Sequence, residues 1–174
     1  MNITFIGGGN MASALISGLL QQGYAAEQLR VVEINAESRE KIKHTLGVSA
    51  VADLADGVKG SDVILLAVKP QQLFELTQKL TPLLNSQLII SIAASIRATD
   101  IIRWLGDYAR VVRAMPNTPS LVRSGVAGLY AAPGVDELDK KNAESILAAV
   151  GSTLWVDDEE MLHAVTAISG SGPA

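Results

Sequence analysis

Asn2-Ile3-Thr4-Phe5-Ile6-Gly7-Gly8-Gly9-Asn10-Met11-Ala12 places an apolar strand directly before a glycine turn that opens a helix. Gly7, Gly9 and Ala12 occupy the first, third and sixth positions of a Gly-x-Gly-x-x-Gly/Ala pattern. In such a turn the first glycine permits the sharp bend, the second removes a Cβ that would block a phosphate, and the last small residue lets the helix pack closely on the sheet. The helix N-terminus adds free N–H groups and a partial positive charge. The stretch therefore predicts a site for the pyrophosphate of a dinucleotide.

The residues that follow the turn favour a βαβ unit. Apolar or small side chains recur at helical spacing, at Met11, Ala14, Leu15, Gly18 and Leu19. Gly23 is a suitable end for this helix, and a second apolar strand is predicted at residues 29–34. A glycine pattern alone also fits an ordinary strand-to-helix turn without a ligand. Its place between two strands at βαβ distance favours cofactor binding.

Composition and charge narrow the classes of partner. The chain has 174 residues, of which 48% are apolar and 18% charged, so it can bury one substantial core. The net charge is −4 and the basic residues are scattered, which argues against a nucleic-acid or anionic-membrane surface. The expected partners are small molecules and copies of the same chain.

The sequence contains neither cysteine nor an obvious targeting segment. The absence of cysteine excludes disulfides, thiolate metal sites and a cysteine nucleophile. The N-terminus lacks the basic segment of a secretory signal, and the longest apolar run, residues 63–68, is too short to span a bilayer. We therefore expect a cytoplasmic protein.

Strand and helix patterns alternate along most of the chain. Strands are predicted at residues 29–34, 48–51, 62–68, 88–92, 110–115, 126–130 and 153–156, and helices at 36–46, 71–84, 99–105, 136–150 and from 158 onwards. The continuous apolar run at 63–68 is typical of a parallel strand that is buried on both faces. The pattern predicts an α/β fold of Rossmann type, with a doubly wound, mainly parallel sheet.

Five segments together resemble the Δ1-pyrroline-5-carboxylate reductase family, which makes proline by reducing a cyclic imine with a nicotinamide cofactor. They are Phe5-Ile-Gly-Gly-Gly-Asn-Met-Ala12, Ala67-Val-Lys-Pro70, Ser91-Ile-Ala-Ala94, Val112-Arg-Ala-Met-Pro-Asn-Thr-Pro119 and Val165-Thr-Ala-Ile-Ser-Gly-Ser-Gly-Pro-Ala174. Each segment alone could be coincidental, but their order and spacing are highly specific.

The resemblance implies two domains. Residues 1–156 would form the Rossmann-type dinucleotide-binding domain, and residues 157–174 would begin a helical C-terminal domain through which family members form homodimers or larger homo-oligomers. The sequence stops at Ser169-Gly-Ser-Gly-Pro-Ala174, a turn or helix-opening signal with nothing after it. We expect that the helical domain is cut short, that the loop holding the substrate carboxylate is missing, and that this chain alone has little or no activity.

The resemblance also implies a set of cofactor-binding residues. They are Ile6, Gly7, Gly8, Gly9, Asn10, Met11, Glu33, Asn35, Ala67, Val68, Lys69, Pro70, Ala93 and Ala94. The segment at 67–70 ends a central strand, where doubly wound sheets bind ligands, and Lys69 could place a positive charge near a phosphate or a substrate carboxylate. Alternatively, Lys69 merely follows the strand and Pro70 starts a helix.

Asn117 and Thr118 are the predicted catalytic positions. They lie between Pro116 and Pro119, whose rings restrict the backbone near the expected nicotinamide end. The alternative is an X-Pro turn whose polar side chains satisfy their own backbone. Lys69 is a further candidate for a role beside the substrate.

Histidines and a metal have no predicted role. His44 and His163 both fall on predicted helices, and the acids at 157–160 are typical of a helix start. Hydride addition to an iminium carbon needs alignment and electrostatics more than a general base. We therefore expect no metal site.

Cofactor choice is ambiguous in the sequence. Glu33 stands 21 residues after Ala12, where an acid usually accepts a hydrogen bond from the ribose 2′-hydroxyl, and this favours NADH. The family commonly uses NADPH, with small hydroxyl or amide residues in this region. Asn35, Ser38 and Arg39 could still accommodate a phosphate, so either cofactor remains open.

Three functions are compatible with these patterns. The first is reduction of the C=N bond of pyrroline-5-carboxylate by NADPH or NADH to give L-proline. The second is a related dehydrogenase acting on a small carbonyl or hydroxyacid, which would normally need a positioned acid or base. The third is a dinucleotide-binding sensor or scaffold without turnover.

Overall fold

The computed structural model describes residues 1–171. The strands are β1 Ile3–Ile6, β2 Leu29–Val32, β3 Ser49–Val51, β4 Val63–Leu66, β5 Leu88–Ser91, β6 Val111–Pro116, β7 Gly125–Ala131 and β8 Gly151–Trp155. The α-helices are α1 Asn10–Gln21, α2 Ala36–Leu46, α3 Leu54–Val58, α4 Pro70–Leu80, α5 Ala98–Trp104, α6 Glu137–Leu147 and α7 Met161–Ser171. Short 3₁₀ turns occur at Ala26–Gln28, Thr81–Leu83, Thr118–Val122 and Ala148–Val150.

The strands of the described region form one sheet in the order β3-β2-β1-β4-β5-β6-β7-β8. The first six strands in that order run parallel, β7 is antiparallel to β6, and β8 is parallel to β7. The strand order reverses between β1 and β4, which is the topological switch point of a doubly wound fold. The predicted fold class, a Rossmann-type and mainly parallel sheet, is confirmed.

Helices cover both faces of the sheet. One core cluster joins α1, α2 and α6 to one face, and the other joins α3, α4 and α5 to the opposite face. Strand β4 is buried at every position, as its continuous apolar run predicts. Strand β5 is also buried at every position. Near its start, α7 lies against β7, where a Cβ built on Gly128 would be 3.0 Å from the Leu162 side chain.

Several predicted bounds are wrong by a few residues. Strand β2 ends at Val32 rather than at residue 34, because its neighbour β3 ends at Val51 and Glu33 N–H makes the last bond, 2.9 Å to Val51 O. Helix α4 ends at Leu80 rather than at residue 84, and the chain tightens into a 3₁₀ turn that contains Pro82. Helix α6 likewise ends at Leu147, before a 3₁₀ turn at Ala148–Val150.

Two further expectations need correction. The five-residue helix α3 was not predicted, because it is too short to show a helical repeat. Helix α7 begins at Met161 and continues through Ser171. Residues 169–171 are therefore helical, and the turn expected there is wrong. The remaining part of that expectation, residues 172–174, lies outside the described residues.

An arginine side chain on a central strand is buried. Arg113 on β6 is 1% exposed, and its Nη1 donates to Glu159 Oε1 at 2.9 Å. The same carboxylate oxygen accepts a 2.7 Å hydrogen bond from Ala98 N–H at the start of α5. Nε and Nη2 of Arg113 find no acceptor within the described part of the chain. The segment that leads into α7 is therefore tied to β6 and α5 through one buried carboxylate.

A second ion pair joins the region before β6 to α6. Nε and Nη2 of Arg110 donate to the two carboxylate oxygens of Asp139 at 2.9 and 2.7 Å, and Asp139 is buried. The hydrogen bonds to Asp139 raise the pKa of Arg110. This two-pronged contact fixes α6 against the sheet near the amino end of β6.

Candidate dinucleotide-binding site

The predicted site residues lie at or after the carboxyl ends of β2, β1, β4, β5 and β6, which we call the carboxyl edge. These strands are successive neighbours and run in the same direction, so the segments after them form one continuous row. The row contains the glycine turn, the segment at 67–70, the segment at 92–94 and the loop at 117–118. The edge also includes the β1–β4 switch point, where α/β sheets bind their ligands.

The glycine turn is as sharp as the sequence predicts. Gly7 has φ +101°, and a Cβ at this position would lie 2.6 Å from Ala67 O. Its N–H donates to Val32 O at 2.9 Å, which continues the sheet into the turn. Only glycine is free of both the strained backbone and the clash at this position. The turn after β1 therefore packs directly against the segment after β4.

The start of α1 has the room and the polarity that a phosphate needs. A Cβ built on Gly9 would meet no atom of the described residues within 4 Å, so this glycine faces open space. Gly9 is the N-cap residue, no side chain of residues 1–171 caps the helix there, and its first turn contains no acid. Ala12 is buried against the sheet. The uncapped N–H groups fit a dinucleotide pyrophosphate.

Glu33 connects the glycine turn to the loop before α2. Its Oε2 accepts a 3.0 Å hydrogen bond from Gly8 N–H, and its Oε1 accepts one of 3.0 Å from Asn35 N–H. A Cβ on Gly8 would lie 2.4 Å from the end of the Ile42 side chain and 3.3 Å from Glu33 Oε2, so a larger residue here would displace Ile42. Both oxygens of the carboxylate are therefore held by backbone donors.

Asn35 and Arg39, two of the three polar residues expected to accommodate a phosphate, each bond the backbone of this region through one side-chain atom. Asn35 caps α2, because its Oδ1 accepts a 2.8 Å hydrogen bond from Ser38 N–H. Nη1 of Arg39 donates to the carbonyl oxygens of Glu33 and Ile34 at 2.9 and 2.8 Å. These contacts shape the loop around the carboxylate.

The segments after β4 and β5 line the middle of the carboxyl edge. Ala67 N–H donates to Ile6 O at 2.8 Å, and Ala67 and Val68 are half-buried. Lys69 is exposed, and Pro70 is the first residue of α4. Ala93 is buried and Ala94 is exposed on the same edge.

Asn117 and Thr118 have different surroundings. Asn117 is 8% exposed, and its Oδ1 accepts a 2.9 Å hydrogen bond from Val126 N–H at β7. Ser120 Oγ lies 3.4 Å from the same oxygen. Asn117 therefore supports the loop that joins β6 to β7. The side chain of Thr118 is exposed at the start of the 3₁₀ turn.

Sequence reasoning did not name Ile34 among the site residues. Its side chain is 80% exposed directly after Glu33, which is unusual for an isoleucine. The signal was present in the sequence, since an aliphatic residue stood at the end of the predicted strand. The strand pattern placed Ile34 in the strand rather than in the loop that follows it.

Other features of the described region lie apart from this edge. A cleft of about 430 Å³ lies between α6 and β8, lined by Lys140, Glu144 and Trp155 among others. It includes Ala131, which pairs with Val112 near the amino end of β6, so it opens away from the glycine turn. The side chains of His44 and His163 are exposed on their helices.

Residues 1–171 contain neither a cluster of metal ligands nor a membrane-spanning helix. No three histidine, aspartate or glutamate side chains of this region come together as a set of metal ligands. None of its helices has the length and apolar character that crossing a membrane requires.

The chain is similar to known proteins over nearly its whole length. A family model described as NADP oxidoreductase, coenzyme F420-dependent, matches residues 2–95. The pyrroline-5-carboxylate reductase of Pseudomonas aeruginosa is 48% identical over 99% of this chain and 63% of that protein. A solved pyrroline-5-carboxylate reductase from Coxiella burnetii superposes with a TM-score of 0.95 at 42% identity, covering 99% of this chain and 64% of the other.

A further solved relative contains a nucleotide. The pyrroline carboxylate reductase of Plasmodium falciparum, determined with NADP bound, has a TM-score of 0.86 at 27% identity over 99% of this chain and 63% of that one. The chain thus spans somewhat less than two thirds of the length of the relatives it matches.

Proposed function

The chain belongs to the NADP oxidoreductase, coenzyme F420-dependent, family, and the predicted resemblance of its motifs to the pyrroline-5-carboxylate reductases is confirmed; from this premise we propose that it is the cofactor-binding part of such a reductase. The proposed reaction converts pyrroline-5-carboxylate, a proton and NADPH or NADH into L-proline and the oxidised cofactor. The observation that carries the proposal is the glycine turn at the β1–β4 switch point, which opens onto the uncapped start of α1.

The cofactor would lie along the carboxyl edge. Backbone N–H groups of the segment 6–11 would hold the pyrophosphate, and Glu33 would accept a hydrogen bond from the adenine-side ribose. The segments at 67–70 and 93–94 would line the path towards the nicotinamide. When bound, the reduced nicotinamide supplies the hydride that adds to the carbon of the C=N bond.

The protein's own contribution would be alignment rather than acid–base chemistry. Asn117 would fix the loop after β6, because its amide oxygen is bonded to Val126 N–H. The exposed Thr118 side chain would then contact the nicotinamide or the substrate, and Lys69 would add a positive charge near the substrate carboxylate. Neither residue needs to exchange a proton with an iminium substrate.

We also propose the domain division and assembly that the resemblance implies. Residues 1–156 would form the dinucleotide-binding domain, and residues 157–174 would begin the helical domain through which two copies associate. The lengths of the relatives support this, since they extend well beyond the part matched here. We further propose a cytoplasmic location.

The test is oxidation of NADH and NADPH by the protein at the full length of its relatives, with and without pyrroline-5-carboxylate. We expect oxidation that depends on the imine and yields proline. The matched variant is Gly9→Ala, whose Cβ faces open space, so the protein should fold normally but bind the dinucleotide at least roughly tenfold more weakly. Tight cofactor binding without any imine-dependent turnover would overturn the reductase and favour a sensor.

A further inference from the structure

We propose that the adenine-side pocket of this chain selects NADH over NADPH, and that Glu33 is the residue that makes the selection. The inference rests on the proposed function, because it names the cofactor of the same site. It departs from the NADP in the family description and in the Plasmodium falciparum structure.

The first step is the fixed position of the Glu33 carboxylate. Hydrogen bonds of 3.0 Å from Gly8 N–H and from Asn35 N–H hold its two oxygens at once. One donor belongs to the glycine turn and the other to the loop before α2, so rotating the side chain away would break contacts on both sides. The negative charge therefore stays beside the turn that receives the cofactor.

The second step is the set of side chains next to Glu33. Nη1 of Arg39 is bonded to two backbone carbonyls. Ile34 presents an exposed aliphatic side chain where a hydroxyl or an amide would be needed.

The third step is the chemistry of the two cofactors. A ribose 2′-hydroxyl can donate a hydrogen bond to a carboxylate whose remaining lone pairs are free. A 2′-phosphate carries negative charge and has only acceptor oxygens near neutral pH, so it meets repulsion from Glu33. The guanidinium of Arg39 offsets part of this repulsion, but its Nη1 already donates hydrogen bonds to the carbonyl oxygens of Glu33 and Ile34. The balance favours NADH.

The experiment compares dissociation constants of NADH and NADPH for the full-length protein, followed by nicotinamide fluorescence. The wild type should bind NADH at least roughly tenfold more tightly. Glu33→Gln keeps the shape of the side chain and removes its charge, so it should reduce that ratio at least about fivefold, mainly by tighter NADPH binding. The matched control, Glu37→Gln, removes an exposed charge from the first turn of α2 and should change the ratio of the two dissociation constants by less than about twofold.

The outcomes separate this inference from the proposed function. Equal or tighter binding of NADPH by the wild type would overturn the selection and leave the reductase intact. An unchanged ratio in a folded Glu33→Gln variant would overturn the role of Glu33. If that variant does not fold, the wild-type ratio together with Glu33→Asp, which keeps the charge and should retain the NADH preference, decides the question. Failure of both cofactors to bind would overturn the proposed function itself.

Discussion

Arg113 shows how much a single buried charge depends on its partner in this protein. Its guanidinium is buried, and among residues 1–171 its one ionic contact is with Glu159. The Glu159 carboxylate also accepts a hydrogen bond from the first N–H of α5. Removing one member of a buried pair is far more destabilising than removing both, because it leaves an uncompensated charge in a medium of low polarity. The pair therefore acts as a unit in which neither residue is replaceable alone.

Glu159→Gln should lower the free energy of unfolding by about 3–5 kcal/mol, because the Arg113 charge remains buried without its counter-charge. The control is Glu160→Gln, whose exposed carboxylate pairs with Arg97 and should contribute less than about 1 kcal/mol. Urea unfolding of both variants measures the difference. The double variant Arg113→Met with Glu159→Gln should regain part of the loss, and equal effects of the two single glutamine variants would contradict this account.

Packing between elements depends on a glycine whose role the sequence did not reveal. Gly18 lies inside α1, where the helical pattern marked it as part of the apolar face. A Cβ at this position would lie 2.3 Å from Ala149 O, so α1 touches the backbone of the 3₁₀ turn Ala148–Val150. This contact brings the end of α6 against the helix that carries the cofactor turn.

Gly18→Ala should destabilise the protein by about 1–3 kcal/mol, although alanine is normally the better helix former. The obstacle is a carbonyl oxygen of the backbone, which cannot move away as the end of a side chain could. Ser17→Ala in the same helix is the control and should shift the unfolding midpoint by less than about 0.5 kcal/mol. A Gly18→Ala protein that is as stable as the wild type, or more so, would show that the turn at 148–150 gives way.

The elements differ in how well the sequence predicts them. Helix α2 has the predicted bounds because a capping asparagine at its start and Gly47 at its end agree. The opposite direction of β7 and β8 was not predictable, since an apolar strand pattern does not say which neighbour it will pair with. At the site, the glycine turn could be predicted from local sequence. The bond from Gly8 N–H to Glu33 and the bond from Val126 N–H to Asn117 could not, because each depends on how two separate elements pack in the folded chain.

At the scale of the whole molecule, the carboxyl edge is assembled from five strands of one sheet. The site residues extend from the first turn of the chain to the loop at 117–118, and two core clusters support them from opposite faces. A ligand that bridges these loops should therefore stabilise the sheet as one cooperative unit.

NADH at about one hundred times its dissociation constant should stabilise the 174-residue chain by about 2.7 kcal/mol. For a domain of this size the melting temperature should rise by roughly 5–10 °C, in a single transition. Differential scanning calorimetry with and without NADH measures the shift, and Gly9→Ala serves as the variant in which about half of it or more should be lost at the same NADH concentration. Two separate transitions, of which only one responds to NADH, would contradict a single cooperative unit.

The position of β1 in the middle of the sheet also affects how the protein is made. Ile3 pairs with Leu29 on one side and with Val63 on the other, so the second partner is synthesised about 60 residues later. At ordinary translation speeds a ribosome needs about 3–12 seconds to add that many residues. During this interval the nascent chain carries an apolar strand with one edge open, which is a suitable target for a chaperone. The segment that binds the cofactor is thus among the first to be translated, but it cannot take its final place until the sequence of β4 has left the ribosome.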